Sequence, residues 1–466
     1  MQQRAREFFT VRHHVEIKNK KAVIVGLGET GYDTAFFLLK KGARVFITES
    51  GENESIREKA FLLSGMGANV QTGEHTEKFI QGAEIIIPSP GIPETSIPLA
   101  FAKKNRIPVI SEIELGYIFS PSRKIIAVTG TDGKTTTTSI LGLMFRNAKL
   151  PSIVCGNIGN SFIGEMENTG KDTFIILEAS SFQLEKTKTF KPFIGCLLNI
   201  DEDHLDRHLS FQNYMEAKKK LFANQDERDA AVINYDDVYC RKAARNLCSE
   251  IFFFSQNGMP DRGAYLKGDK IISNVGGRKN VFETEKIAIS GKGNNENIMA
   301  ALIIGLICKI DTETLQKSLC EFAPLPHRFE KVKERKGIVF INDSKATNPH
   351  SVMNALRSID KGRKAILIMG GQNKQVSFIK LVPLIKEKVK LLLLLGEASE
   401  TIAEEVKNAG VPHIFVRDMK EAVEKGAKNA SKGDTVLLSP GCASFDMFEN
   451  YKERGNVFKK EVELLS

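Results

Sequence analysis

The sequence predicts an α/β protein of three domains, each built around a mostly parallel sheet. The first observation is length, because 466 residues exceed what one hydrophobic core normally organises. The second is pattern: short apolar runs alternate with stretches of helical spacing, as in sheets covered by helices on both faces. The third is a pair of breaks, "FSPSR" at 119–123 and "APLPHRF" at 323–329, each followed by new strands. We therefore expect domains at 1–120, 121–325 and 326–466.

Each domain is predicted from its own series of strands. In the first these are "KAVIVGLG", "ARVFITES" and "AEIIIPSPGIP", preceded by a polar, basic leader at residues 1–20. In the central domain they are "KIIAVTG", "FIILEAS", "FIGCLLNI" and "AAVINYDD", and weak alternation over about 250–290 indicates an antiparallel excursion. In the third they are "IVFINDS", "KAILIMGG", "VKLLLLLGEAS" and "DTVLLSPG".

Composition and charge weigh against a nucleic-acid-binding protein, a disulfide-bonded protein and a membrane-spanning protein. Hydrophobic residues make up 42% and charged residues 26% of the chain, which is typical of a globular protein. The net charge of +9 comes from basic residues mixed with acids almost everywhere, which favours anionic small substrates over nucleic acid. The seven scattered cysteines lack CxxC spacing, so we expect reduced thiols in the cytoplasm. The longest apolar runs, such as "LLLLL" at 391–395, are too short to span a membrane.

A glycine motif follows the first predicted strand. Gly26, Gly28 and Gly31 form GxGxxG, and Glu49 ends the next strand, a pattern typical of Rossmann-like dinucleotide sites. A tight turn without a ligand is the alternative interpretation. The polar clusters of the sequence lie in the other two domains, which weighs against hydride transfer at this motif.

A second glycine motif opens the central domain and is more specific. In "VTGTDGKTTTT", backbone N–H groups of the loop and of the helix start can bind phosphate oxygens. Lys134 would add a point charge and Thr135 a hydroxyl ligand for Mg²⁺. The loop is a shortened form of GxxxxGK[ST], since Val128 stands where that motif has glycine. We interpret it as the phosphate loop of an ATP site.

Polar residues at the ends of two later strands support this interpretation. Glu178 ends "FIILE", where an unpaired buried carboxylate would be costly unless it meets a cation. Asp203, His204 and Asp206 follow "FIGCLLNI". Oxygen ligands and a histidine beside a phosphate loop indicate magnesium-assisted phosphoryl transfer.

Several longer motifs, in order along the chain, resemble those of the Mur ligases of peptidoglycan synthesis. They are "TGTDGKTTT", "GNIG", "LEASSFQLE", "NIDEDHLDRH", "LPHRFE", "INDSKATNP" and "LSPGCASFDMF". The resemblance runs from about residue 20 to the end, and "SSFQLE" and "DSKATN" favour the member of the family that adds D-glutamate to UDP-N-acetylmuramoyl-L-alanine. It implies a Rossmann-like first domain that binds the UDP-sugar, a central P-loop ATPase-like domain and a Rossmann-like third domain that binds the amino acid. It also implies amide synthesis through an acyl phosphate, with ADP and phosphate released.

The resemblance implies roles for residues of the central site. Thr135 and Glu178 would bind one Mg²⁺, and His204 a second. In "YMEAKKKLF" it places a carbamylated lysine, a further metal ligand, at Lys218, and it places Asn157 against the reacting carboxylate or the sugar–peptide. The catalytic set is therefore Lys134, His204, Lys218 and Asn157. The implied ATP-binding residues are Gly130, Thr131, Gly133, Lys134, Thr135, Thr136, Asn294, Asn297, Arg328 and Asp343.

The resemblance also implies the other two substrate sites. Loops after strands of the third domain would bind D-glutamate, and Asn348 and Pro349 are predicted to begin a helix there. The implied D-glutamate residues are Lys345, Thr347, Lys374, Ser444 and Phe445. The implied UDP-sugar residues are Gly28, Glu29, Thr30, Glu49, Ser89 and Gly91. In two places the chain departs from the family: Gly293 replaces a usual histidine, and "ITES" replaces Asp-Thr-Arg. We expect a monomer.

Three other functions remain open on the sequence alone. A folylpolyglutamate or cyanophycin-type ligase shares the central loop but lacks "DSKATN". An NAD-dependent dehydrogenase would use Gly26–Gly31 and need no ATP. A non-catalytic nucleotide-binding module would leave Glu178, His204 and Lys218 without a reason to occur together.

Overall fold

The computed structural model describes residues 16–157, 159–287, 289, 292–359, 362–372 and 376–465, without the side chains of Asp206, Lys292 and Gly293. Residues 1–15 of the expected leader and the predicted site residue Lys374 lie outside the described residues. Within them the strands form three sheets, of four, nine and six strands. The α/β fold class with mostly parallel sheets is therefore confirmed.

The first sheet is parallel and has the order β3-β2-β1-β4. Its central strand β1 has every residue buried, because helices cover both faces. The first helix begins three residues after Gly26, as the glycine motif predicts. The elements are β1 Lys21–Val25, α1 Glu29–Lys40, β2 Arg44–Thr48, α2 Glu54–Gly65, β3 Asn69–Gln71, α3 Glu77–Ile80, β4 Ile85–Pro88, α4 Ile97–Asn105 and α5 Glu112–Phe119.

The second sheet has the order β13-β12-β11-β10-β9-β8-β5-β7-β6. It is parallel from β6 to β11 and antiparallel from β11 to β13, which confirms the predicted antiparallel excursion. The elements are β5 Ile125–Thr129, α6 Lys134–Asn147, β6 Ser152–Gly156, β7 Phe174–Glu178, α7 Ser181–Glu185, β8 Ile194–Leu197, α8 Leu205–His208, α9 Phe211–Lys219, β9 Ala230–Asn234, α10 Val238–Ala243, β10 Glu250–Ser255, β11 Gly263–Lys267, β12 Lys270–Val275, β13 Arg278–Glu283, α11 Lys292–Ile307 and α12 Thr312–Glu321.

The third sheet has the order β14-β15-β19-β16-β17-β18, with one antiparallel edge strand, β14, on a parallel sheet. The run "LLLLL" lies in β17 and is buried, so it is a core strand. The elements are β14 Glu330–Arg335, β15 Ile338–Asn342, α13 Pro349–Arg357, β16 Ala365–Gly370, α14 Val382–Lys388, β17 Val389–Leu395, α15 Ser399–Val406, β18 His413–Phe415, α16 Met419–Asn429, β19 Thr435–Gly441 and α17 Tyr451–Leu464.

Apolar residues on the two faces of each sheet pack against the covering helices and form the hydrophobic cores. β5, for example, packs Ile126 and Val128 against α6 and α11 on one face, and Ile125 and Ala127 on the other. Because β5 pairs in parallel with both β7 and β8, the carboxyl ends of the three strands open at one edge, where ligands bind in open α/β sheets. Across the described residues, no helix combines the length and the hydropathy needed to cross a bilayer.

Candidate functional site

The phosphate loop connects the buried strand β5 to helix α6. Gly133 is the residue before the helix and has φ +83°, a left-handed conformation that glycine adopts without strain. A Cβ at this position would lie 2.2 Å from Asn297 Oδ1. The turn therefore needs glycine for two reasons. Its φ angle is positive, and Asn297, which is predicted to bind adenine, approaches closely.

Replacing Gly133 by alanine is expected to lower the free energy of unfolding by roughly 1–2 kcal/mol, because φ is positive, and to weaken ADP binding, because Asn297 must move. Gly268→Ala is the matched control. Gly268 has φ +58° but a Cβ there meets nothing within 4 Å, so only stability should fall. Urea unfolding and ADP calorimetry measure both quantities. Equal ADP affinity in the two variants would contradict the role of Asn297.

Two lysines share one carbonyl of the phosphate loop. Lys134 Nζ donates to Gly130 O and Thr131 O, both at 2.8 Å, and Lys218 Nζ donates to Gly130 O at 2.7 Å. Lys218 belongs to α9 and is 1% exposed. Burial, and then the charge of Lys134, lower the pKa of Lys218 well below its ordinary value. Burial also lowers the pKa of Lys134, although nearby carboxylates oppose the shift.

Glu178 lies at the end of β7, beside the start of α6. Its Oε2 accepts a hydrogen bond from the Thr135 hydroxyl at 2.8 Å, and its Oε1 accepts one from Asn157 Nδ2 at 2.9 Å. Three residues predicted for the metal and the substrate are thus in direct contact. The carboxylate is 2% exposed, and its partners satisfy it in a place where an isolated charge would be costly.

His204 follows β8 and faces the same opening. Its Nε2 lies 3.6 Å from Asp203 Oδ2, and its ring meets the edge of Phe182 at 4.9 Å between centroids. The residue has φ +55°, which turns the chain into α8. The side chain of the predicted Asp206, on α8, lies outside the described part of the chain.

A cleft of about 250 Å³ joins the central and third domains. It is lined by most of the residues predicted for ATP, the metal and the amino acid: Thr131, Gly133, Lys134, Thr135, Thr136, Asn157, Glu178, His204, Asn294, Asn297, Arg328, Asp343, Lys345 and Thr347. Gly130 and Lys218 lie behind this lining. The sequence places these residues on separate strands and loops, and the fold brings them together.

Asp343 is the most perturbed carboxyl on the third-domain side of the cleft. It accepts hydrogen bonds from Phe329 N and the Ser439 hydroxyl, both at 3.0 Å. Burial nevertheless raises its pKa to about 7. Nearby, Asn348 accepts a hydrogen bond from Ser351 N and Pro349 is the first residue of α13, so the predicted helix start is confirmed.

The loops predicted for D-glutamate are held from behind by an arginine that the sequence analysis missed. Arg454, on α17, is 1% exposed and donates to Ser344 O at 2.9 Å and to Cys442 O and Ala443 O at 3.2 Å. It thus ties the loop of Lys345 to the loop of Ser444, which is itself 2% exposed. In a helix of mixed charge, no sequence pattern separates a buried arginine from a solvated one.

An aromatic ring also lies beside this site. Lys345 Nζ is 4.1 Å from the centre of the Tyr451 ring, a cation–π contact. The predicted Phe445 is instead 68% exposed. Tyr451 is thus a second residue near the amino-acid loops that sequence reasoning did not find.

In the first domain the glycine motif is tightly packed. A Cβ on Gly31 would lie 2.1 Å from Gly26 O, and Glu49 Oε2 accepts a hydrogen bond from Leu27 N at 2.7 Å. The other carboxylate oxygen accepts from Gly51 N at 2.8 Å, so Glu49 links the turn after β2 to the glycine motif after β1. Gly28 precedes α1, which Glu29 and Thr30 begin.

A small cleft separates the first and central domains. Ser89 and Gly91 line it from one side, and Phe182, Gln183 and Arg207 line it from the other. Of the residues predicted for the UDP-sugar, only Ser89 and Gly91 border that cleft. Gly28, Glu29 and Thr30 lie apart from it, between the end of β1 and the first turn of α1, and Glu49 lies directly after β2.

The oxygen-rich cleft suits Mg²⁺ only together with a phosphate ligand. In the described part of the chain, no three His, Cys, Asp or Glu side chains are close enough to hold a metal by themselves. Thr135 and Glu178 offer adjacent oxygen atoms at the start of α6. Such a partial donor set is typical of Mg²⁺, which usually keeps water and substrate phosphates among its ligands.

Comparisons with known proteins cover nearly the whole chain. Residues 20–111 match the MurD-like N-terminal domain of Mur ligases, residues 128–305 the Mur ligase middle domain and residues 327–442 the Mur ligase glutamate ligase domain. The UDP-N-acetylmuramoylalanine–D-glutamate ligase of Caldicellulosiruptor bescii is 41% identical over 97% of this chain and 99% of its own. The protein of the same name in Clostridioides difficile is 37% identical over 96% and 99%.

Solved structures share the fold at lower identity. A pseudomurein peptide ligase type C from Methanothermus fervidus has a TM-score of 0.61 and 19% identity, covering 96% of this chain and 100% of its own. The Mur ligase MurF from Thermotoga maritima, solved with ADP, has a TM-score of 0.61 and 18% identity, covering 98% of each chain.

Proposed function

The chain belongs to the Mur ligase family, and from that premise we propose that it joins D-glutamate to UDP-N-acetylmuramoyl-L-alanine in an ATP-dependent reaction. Relatives with this name are similar over almost their whole length. The observation that carries the proposal is the cleft in which the phosphate loop faces Lys345 and Thr347 of the third domain. An amide ligase needs this arrangement, because it must bring a phosphoryl donor, an acid and an amine together.

The chemistry proceeds in two displacements. A carboxylate oxygen of the L-alanyl group attacks the γ-phosphorus of ATP; the bond to the β,γ-bridging oxygen breaks, and ADP leaves. The D-glutamate amine then attacks the carbonyl carbon of the acyl phosphate. The C–O bond to phosphate breaks, inorganic phosphate leaves, and the nitrogen loses a proton. The first step joins two anions, so cationic groups must offset their repulsion.

Residues of the phosphate loop supply much of that charge. In this proposal the backbone of Gly130–Gly133 and the side chains of Lys134, Thr135 and Thr136 bind the phosphates. Asn294 and Asn297 bind adenine, Arg328 binds phosphate, and Asp343 binds the ribose. The raised pKa of Asp343 supports the last assignment, because a buried carboxyl with that pKa can share a proton with a hydroxyl ligand.

Mg²⁺ supplies charge neutralisation between the phosphate and carboxylate oxygens when it is bound. Thr135, Glu178, His204 and a carbamylated Lys218 would hold one or two ions. Asn157 contacts Glu178 and would orient the reacting carboxylate. The burial of Lys218 beside the phosphate loop supports its role, because carbamate formation needs an uncharged amine.

The remaining predicted residues are assigned to the other two substrates. Lys345, Thr347, Lys374, Ser444 and Phe445 would bind D-glutamate, and Gly28, Glu29, Thr30, Glu49, Ser89 and Gly91 would bind the UDP-sugar. We place the domain boundaries at 1–120, 121–325 and 326–466. We also propose that the protein acts as a monomer in the cytoplasm.

A coupled phosphate assay tests the function. Phosphate release is expected only with ATP, UDP-N-acetylmuramoyl-L-alanine and D-glutamate together. L-alanine or a diamino acid in place of D-glutamate should give less than about one hundredth of the rate, because their side chains leave the cationic amino-acid site unpaired. Substrate carboxylate labelled with ¹⁸O should transfer one label to phosphate. Activity with a folate or peptide acceptor instead would favour the polyglutamate-type alternative, and tight NADH binding without ATP dependence the dehydrogenase.

A further inference from the structure

The third domain contacts the phosphate loop through a residue whose side chain the proposed ATP site does not use. Asp132 lies between Thr131 and Gly133, yet its carboxylate points to the start of α13. His350 Nδ1 lies 2.6 Å from Asp132 Oδ2, and the Ser351 hydroxyl donates to Asp132 Oδ1 at 2.6 Å. Both carboxylate oxygens are thus engaged by the other domain.

Two neighbouring contacts follow the same line between the domains. Asn348 Nδ2 donates to Asp203 Oδ2 at 3.2 Å. Lys380 Nζ lies 3.5 Å from Asp201 Oδ1 and 3.2 Å from Glu202 Oε2. Acidic groups of the central domain therefore meet donors of the third domain along the edge of the nucleotide cleft. Lys380 is more than half exposed, so its pairs contribute little, whereas the Asp132 contacts are largely shielded from water.

We propose that His350 and Ser351 are positioning residues that hold the third domain against the phosphate loop through Asp132. In the closed state of the two domains, the His350 ring is protonated. The proposal deepens the ligase function proposed above. Closure through Asp132 brings Lys345 and Thr347 to the phosphate loop, which the second displacement requires. It also makes nucleotide binding and domain closure depend on each other.

The charges around His350 decide how the contact responds to pH. Asp132 and Asp201 face it from the central domain, and Glu296 from α11. The positive end of α13 and Lys380, which pairs with Asp201, oppose a charged ring. Burial lowers the pKa of His350, but the hydrogen bond and charge of Asp132 outweigh burial and raise it. For Asp132, burial is outweighed by His350, Ser351 and Lys134, and its pKa falls.

The sign of the effect follows from these shifts. The pKa of His350 is higher in the closed form than in the open form. The contact is therefore fully formed at pH values below the pKa of His350 in the open form. It is lost as pH rises through the closed-form value. Affinity for ADP should therefore fall by about tenfold between about pH 6 and about pH 9 as the charged hydrogen bond is lost.

Small-angle scattering and ADP calorimetry across this pH range test the proposal, and neither depends on turnover. The wild type should become more extended, and bind ADP more weakly, as pH rises. His350→Gln and Asp132→Asn should remove most of this pH dependence, and the double variant should add little to either change. His413→Gln removes an exposed histidine of the same domain and should titrate like the wild type.

Unchanged pH dependence in His350→Gln, or a wild-type profile independent of pH, would overturn the proposal. In steady-state kinetics, Ser351→Ala should raise KM for ATP more than it lowers kcat, and Ser351→Thr should restore it. If the scattering titrates as expected but D-glutamate supports no phosphate release, the contact stands and the ligase assignment fails.

Discussion

Lys134→Ala is expected to lower the rate of phosphate release by about 10³-fold or more while leaving the fold intact. The ammonium group lies on the phosphate loop, within 2.8 Å of two of its carbonyls, and can turn to the phosphates without a backbone change. Removing it leaves the repulsion between γ-phosphate and carboxylate less compensated in the transition state. The measurement is the coupled phosphate assay at saturating substrates.

Controls separate chemistry from folding. Lys124→Ala removes an exposed lysine at the other end of β5, whose partner Asp172 is also exposed, and should keep the wild-type rate. Thermal unfolding should show that Lys134→Ala folds, because Gly130 O keeps its hydrogen bond from Lys218 and Thr131 lines the open cleft. A Lys134→Ala enzyme that turns over at the wild-type rate would refute the proposed role of the phosphate loop.

Lys218→Ala is expected to lower activity by about 10²-fold or more, and short carboxylates such as formate or acetate should restore part of it. The buried amine has a pKa well below its usual range, because of burial first and the charge of Lys134 second. The lowered pKa increases the uncharged fraction of the amine. The nitrogen can add to CO₂ with loss of one proton, giving a carbamate that is anionic like a carboxylate.

Neighbouring lysines on the same helical run supply matched controls. Lys219 is partly exposed and pairs with Glu216, and Lys220 donates to Glu185 O instead of the loop. Lys219→Ala should keep the wild-type rate and should not respond to formate. The mass of the intact wild type, measured under CO₂, should increase by one carbamate, and Lys218→Ala should not show this increase. Full activity of Lys218→Ala without added carboxylate would contradict the carbamate role.

Local patterns in the sequence were enough for the architecture, and they predict the chemical character of the site. Strand-length apolar runs alternating with helical spacing predict parallel sheets, because buried strands must be apolar on both faces. "GTDGKT" after such a run predicts a phosphate loop, because its features lie within one short segment. The weak alternation over about 250–290 indicated an antiparallel excursion, and the antiparallel strands β11–β13 lie within it.

The burial and the partners of individual side chains at the edges of the site could not be predicted from the sequence, because they depend on tertiary contacts. The run Lys218–Lys220 reads as a solvated face, and only packing of α9 against the phosphate loop buries the first of the three. Arg454 and Tyr451 are distant in sequence from Ser344 and Lys345, which they contact. Glu49 resembles a ribose ligand, but its two oxygens accept hydrogen bonds from backbone N–H groups, one from Leu27 in the glycine motif and one from Gly51 in the turn after β2.

By itself, the sequence determined three α/β units and the family to which the chain belongs, and it predicts a phosphate loop, because each is encoded within segments of a few to a few tens of residues. Tertiary structure alone decided which side chains are buried and which meet across domains, as Asp132 meets His350. The physical reason is that burial and pairing depend on elements that are far apart along the chain and adjacent only after folding.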